Sequence, residues 1–149
     1  MNLRKTIRLI GDQAIHGLSL LEYETGEERQ WVGVVEDIEI SIFGDTEDPQ
    51  QERINTAQKV IPFLEKIDIL GRIDANNYFS RGTEPLDEWT LLTVYFGFTG
   101  IEPFDEFTLH FCRGIWDWST PYYVHYRLNS THPALSTLIR FSGGLGYHN

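Results

Sequence analysis

The sequence predicts an α+β fold: an antiparallel sheet of meanders and hairpins, with one main kinked amphipathic helix packed on one face. Three patterns point to it. Up to about residue 43 apolar and polar residues alternate with period 2, a helical periodicity takes over after Asp48, and period 2 returns after about residue 90. Strands, then helix, then strands is the order of a sheet with its helix on one side rather than of repeated βαβ units. At 149 residues with no internal repeat, low-complexity segment or linker, the chain is expected to form a single domain, 1–149, large enough to bury a core.

In the first strand, expected over 3–10, Leu3, Ile7 and Leu9 share one face and Arg4, Thr6 and Arg8 lie largely on the other. A second is expected over 17–24, and Gly26 marks a turn before a third at 30–35. Glu36 and Asp37 lead into a fourth, where Ile38, Ile40 and Ile42 alternate with Glu39 and Ser41. The third and fourth are too close in sequence for anything but a tight turn.

Asp48 is the expected helix N-cap, with Pro49 at the first helical position and Gln51 completing a capping box. Ile54, Ala57, Ile61 and Leu64 form one apolar stripe. Pro62 is expected to kink the helix, because it removes a donor and clashes with the preceding turn. Gly71 is the expected stop, 73–78 fit a short second helix, and 81–87 form a loop. The near-continuous apolar run 91–98 predicts a central strand covered on both faces. Phe107, Leu109 and Phe111 then alternate with Thr108, His110 and Cys112, and Val124, Tyr126 and Leu128 with Tyr123, His125 and Arg127. Residues 134–141 fit an edge strand or a short helix, and a frayed tail is expected from Gly143.

Apolar residues make up 41% and aromatics 13% of the chain, too many for a disordered one. Cys112 has no partner for an internal disulfide, no apolar run follows Arg4, Lys5 and Arg8 as in a signal peptide, and no window approaches a membrane span. A cytoplasmic protein without a membrane association is the expectation. Eleven carboxylates and the single base Arg29 lie between Glu22 and Glu52, so this stretch carries the whole formal charge of -10. Such a balance repels nucleic acid and attracts cationic surfaces. The basic cluster Arg4, Lys5 and Arg8 is too small to reverse that.

Candidate chemistry is sparse. If the last hairpin turned about Asp117 and Trp118, His110 would face His125 and Cys112 would face Tyr123, a set able to hold zinc with an open position or to form a Cys–His pair. Against this, the spacing matches no compact ligand motif, and a thiol on a strand commonly serves as a small apolar filler. Residues 115–123 hold Trp116, Trp118, Tyr122 and Tyr123 beside Asp117, rings suited to a protein hot spot or to carbohydrate, or else folded back over the sheet. Asp45, Glu47 and Asp48 lack the glycine of a calcium loop. Glu36 and Asp37, as neighbours on strands, would point to opposite faces rather than converge as an acid/base pair. The glycines at 143, 144 and 146 precede no lysine and cannot be a P-loop. No cofactor is expected.

Gln30-Trp31-Val32-Gly33, the acidic step, Ile38-Glu39-Ile40-Ser41-Ile42 and the capped helix resemble small acidic bacterial immunity-type proteins of polymorphic and contact-dependent toxin systems. The strand beginning Phe107-Thr108-Leu109-His110-Phe111 and that over 122–128 resemble their C-terminal hairpin. The resemblance is one of layout and composition over roughly 28–130 and transfers no functional residue. It implies a cofactor-free, non-enzymatic protein that neutralises a basic protein partner, such as a nuclease toxin, by covering its active site. On that reading Glu36, Asp37, Glu39, Asp45 and Glu47 steer the encounter, and Trp31, Tyr23, Trp116, Asp117, Trp118 and Tyr122 anchor it. The alternatives are a small-molecule or carbohydrate module built on 115–123, and an enzyme built on His110, Cys112 and His125.

Overall fold

The computed structural model describes residues 6–7, 18–21, 29–45, 47–114 and 117–144, with backbone alone at 6–7, 18–21, 29, 117 and 118. Its elements are β1 (Thr6–Ile7), β2 (Leu18–Leu21), β3 (Arg29–Val35), β4 (Ile38–Gly44), α1 (Gln51–Val60), α2 (Leu64–Phe79), β5 (Trp89–Phe96), β6 (Glu106–Arg113), β7 (Asp117–Arg127) and β8 (Thr137–Gly143). The strands form one sheet in sequential order, β1 to β8. Every neighbouring pair is antiparallel except β4 and β5, which are parallel. The α+β expectation holds, and its one refinement is that parallel pair. The helical segment carries the chain back along the sheet before β5 begins, and a crossover of this kind is what a parallel neighbour requires.

Alternation decides the faces. Trp31, Ile40, Ile42, Trp89, Val94, Phe96, Leu109, Phe111, Tyr122 and Val124 are all fully buried in the core. The helices supply the facing layer from Ile54, Ala57, Val60, Ile61, Leu64, Ile67, Ala75 and Phe79. Each large side chain so buried contributes roughly 1.5–3 kcal/mol. β5 is internal as expected, but Thr90 is exposed and Leu92 and Tyr95 are half-buried, so its second face is only partly covered.

Pro62 acts as the sequence predicts. A 3₁₀ turn at Ile61–Phe63 separates α1 from α2, because proline cannot donate to the preceding turn. The helix start differs. Gln50, not Asp48, is the N-cap residue, and Pro49 instead forms a bridge with Gly44. The Asp45 carboxylate accepts from the amides of Glu47 (2.7 Å) and Asp48 (2.9 Å), a local turn that delays the helix by two residues. Gly71 is no stop: it lies within α2, and a Cβ there would sit 2.4 Å from Leu109 Cδ1 and 2.9 Å from Phe111 Cζ. It is a point of close approach between helix and sheet, and the separate helix expected over 73–78 is simply the continuation of α2. Residues 134–141 resolve into a 3₁₀ turn, Pro133–Leu135, followed by the edge strand β8. Of the tail expected to fray, 145–149 lie outside the described residues.

The other face of the sheet is more polar and partly buried: Gln30, Ser41, Thr93, Thr108 and His125 are buried, while Glu39, Thr90 and Arg127 are exposed. Ser41 Oγ donates to Gln30 Oε1 (2.7 Å), and Gln30 Nε2 donates to the Gly97 carbonyl (3.3 Å). The loop 97–105 folds against this face through Phe98, whose ring lies 4.7 Å from Tyr95 and 4.9 Å from Tyr123.

Candidate functional site

The acids picked out by the sequence fall into two groups. Glu36 and Asp37 form the two-residue turn between β3 and β4, both with positive φ (48° and 68°), the backbone of a type I′ hairpin. They lie in that turn rather than on strands. Both are exposed, as is Glu39 on the polar face of β4. Among the described residues no ion pair neutralises these three. Asp45 and Glu47 are exposed at the opposite end of β4, about 20 Å away at the rise of a strand. The acids therefore form two clusters, not one patch.

The proposed anchors fare differently. Trp31 is fully buried, its Nε1 donating to the Asp45 carbonyl at 2.8 Å, and Tyr122 is fully buried against Trp89 and Phe79. Both rings belong to the core because β3 and β7 point them at the helix layer, so neither is available to a partner. Tyr23 and Trp116 lie outside the described residues, and Asp117 and Trp118 are described by backbone alone.

The predicted zinc set does not assemble. The pairing is Thr108 with His125 and His110 with Tyr123, two residues away from the expected register. Asp117 and Trp118 open β7 instead of forming the turn, and the ladder shift between Phe111 and Arg113 makes up only part of that displacement. A shift of two keeps the face but separates the histidines. The Tyr123 ring lies between them, 5.0 Å from His110 and 6.5 Å from His125. Cys112 is buried, and among the described residues no three His, Cys, Asp or Glu side chains converge on a metal position.

A cleft of about 460 Å³ opens beside His125. The loop 97–105 contributes Phe98, Thr99, Ile101, Glu102 and Pro103, and the polar face contributes Glu106 from β6, His125 from β7, and Arg140 and Ser142 from β8. Registry explains the convergence: Thr108, His125 and Arg140 lie in one cross-strand row, with Tyr123 and Ser142 paired in the next. Glu106 is only 3% exposed. Arg140 Nη2 approaches its Oε1 to 2.6 Å as an ion pair, but out of hydrogen-bonding alignment, so Oε1 is buried without a hydrogen bond.

His125 bridges two hydroxyls, with Nδ1 2.8 Å from Thr108 Oγ1 and Nε2 2.6 Å from Ser142 Oγ. Either neutral tautomer satisfies both, since a hydroxyl donates or accepts. Burial, aided by the charge of Arg140 and opposed by Glu102, pushes its pKa down to about 4. Burial also lowers that of His110, whose Nδ1 has no hydrogen-bond partner.

The Ser142–His125 pair has the connectivity of a nucleophile and its base. No carboxylate orients that imidazole by a hydrogen bond: Thr108 Oγ1 occupies Nδ1, and Glu106 Oε1 lies 3.8 Å from it. The arrangement is suited to holding hydrogen-bonding groups. Sequence reasoning missed Glu106, Arg140 and Ser142. The available signal was alternation, which puts Glu106 on the face of Thr108 and His110, and Arg140 on that of Ser142 once β8 is taken as a strand. Comparison with known proteins returned no match to a family model, to a curated protein or to a solved structure.

Proposed function

We propose that this is a non-enzymatic acidic binding protein that neutralises a cationic protein partner, in the manner of a bacterial immunity-type inhibitor of a basic toxin domain such as a nuclease. One observation carries the reading: the β3–β4 hairpin presents Glu36 and Asp37, exposed and without ion pairs among the described residues, at two positions of positive φ. Asn-Gly is favoured there, and an ordinary L residue costs roughly 1–2 kcal/mol in that conformation. Two carboxylates held at such a tip form a compact anionic probe for a groove lined by lysine and arginine. The charge would act mainly on the rate of encounter and the choice of partner.

The test is capture of a partner from the native host lysate at about 50 mM and about 500 mM salt, a range over which exposed charges become screened. The captured protein is then measured against Glu36→Lys/Asp37→Lys/Glu39→Lys. Association slowed by about tenfold or more at low salt, with an unchanged fold, supports the reading. A basic partner bound equally fast by the variant rejects it. The parallel variant Asp45→Lys/Glu47→Lys tells which end of β4 docks.

A further inference from the structure

We propose that the cleft beside Glu106 binds a neutral, hydroxyl-rich small molecule of about monosaccharide size, with the Glu106 carboxylate as its central acceptor. The site lies outside the aromatic stretch 115–123 and does not depend on the acidic hairpin.

The cleft's volume, about 460 Å³, falls among those of small-molecule sites. Its floor holds a carboxylate oxygen that the protein buries and leaves without a hydrogen bond. Its charge is met by Arg140 at 2.6 Å, and a donor brought by a ligand would supply the hydrogen bond that the protein does not. Charge selects the donor. An ammonium or guanidinium ligand would meet Arg140, already 2.6 Å from Glu106 Oε1, and an anionic ligand would meet Glu106 and Glu102 together. A hydroxyl meets neither objection: it donates to Glu106 and accepts from Arg140, while the Ser142 hydroxyl can do either and Thr99 Oγ1, which donates to Glu102, can accept.

The remaining wall is apolar. Phe98, Ile101 and Pro103 line it, and Ile101 is 90% exposed, the most exposed large hydrophobic residue described. An apolar wall facing a carboxylate and a guanidinium matches a ring with C–H groups on its faces and hydroxyls on its rim. That chemistry is shared by a free sugar or cyclic polyol and by the terminal residue of a glycan.

Amide-resolved NMR titration of the full chain with glucose, galactose, mannose, ribose and inositol, and with oligosaccharides ending in the same sugars, tests the proposal. Ethanolamine and acetate serve as charged probes. Saturable shifts confined to the amides around Thr99, Gly100 and Ser142 are expected with at least one neutral compound. A response to the free sugar assigns the site to free sugars, and a response to the oligosaccharide alone assigns it to glycan ends; both support the proposal. Glu106→Gln keeps the side-chain volume and should weaken binding by about tenfold. Should that variant fail to fold, Ser142→Ala, on an exposed edge-strand position, should weaken it by about threefold. Overturning results are no saturable shift up to about 50 mM, too weak for a formed site, a response only to a charged probe, shifts elsewhere in the chain, or unchanged affinity in the folded variants. The charge-reversed hairpin should bind the sugar normally, so failure of the partner reading leaves this one standing.

Discussion

Arg53 on α1 and Glu102 in the loop 97–105 hold that loop in place from two directions. Arg53 Nη2 donates to the Glu102 carbonyl at 2.8 Å, while the Glu102 carboxylate turns back to accept the Thr99 amide (2.8 Å) and the Gly100 amide (3.0 Å). Burial would raise the pKa of that carboxyl, but these hydrogen bonds outweigh burial and hold it below its ordinary value. The guanidinium is almost fully buried, over the rings of Phe43 (5.9 Å) and Phe104 (5.1 Å). Gly97 leaves it room, since a Cβ there would lie 2.5 Å from Arg53 Nε. One wall of the cleft thus depends on a residue of the helix layer.

Arg53→Met, which keeps the aliphatic stem but removes the guanidinium donors, should destabilise the fold by about 3 kcal/mol. The carbonyls of Gly100, Glu102 and Pro103 lose their donor in a partly buried setting. Urea denaturation gives the loss, and hydrogen exchange should show it concentrated in 97–105. A loss below about 1 kcal/mol would mean that the loop is held by something else.

Replacing Glu36-Asp37 with Asn-Gly should stabilise the protein by about 1 kcal/mol, because those residues accept positive φ at little cost. The same change should slow association with a cationic partner. A melting temperature that does not rise would show the hairpin to be unstrained.

Gly71→Ala sets two effects against each other. Alanine favours a helix over glycine by about 1 kcal/mol, while forcing a Cβ against Leu109 and Phe111 costs about 1–3 kcal/mol. Both neighbours are fully buried and have little space to yield. A net loss of about 1 kcal/mol is expected in denaturation, and a gain would show that the layers can separate there.

Stability should fall on acidification between about pH 6.5 and pH 4. Folded His125 stays neutral down to about 4, whereas an unfolded imidazole takes up its proton near 6.5. Within that window the unfolded chain binds more protons, so stability rises with pH there, by at most about 1.4 kcal/mol per unit for one group. Burial moves His110 in the same direction. Denaturation midpoints of the wild type and His125→Gln over this range check the attribution, because the variant should show the shallower slope.

Local signals in the chain were informative wherever a side chain's direction follows from its own segment. The apolar stripe from Ile54 to Leu64 and the break at Pro62 are visible in sequence, since both follow from helical periodicity and a missing donor. The faces of β6 and β7 are equally visible, and survive even a two-residue shift in pairing. The helix start was misplaced because a bridge between Pro49 and Gly44, which no local pattern announces, competes with capping at Asp48.

By itself the sequence determined the α+β class, the kinked helix, the alternating faces and the concentration of acids before residue 53, all properties of neighbouring residues and their periodicity. Tertiary structure alone decided that β4 and β5 run parallel, that Trp31 and Tyr122 are core rather than surface, and that the acids separate to the two ends of β4. It alone brought Glu106, His125, Arg140 and Ser142 to one cleft under the loop 97–105. Those outcomes depend on strand order, on bulges in the ladder and on burial by distant segments, where the free energy lies in contacts between residues far apart in the chain.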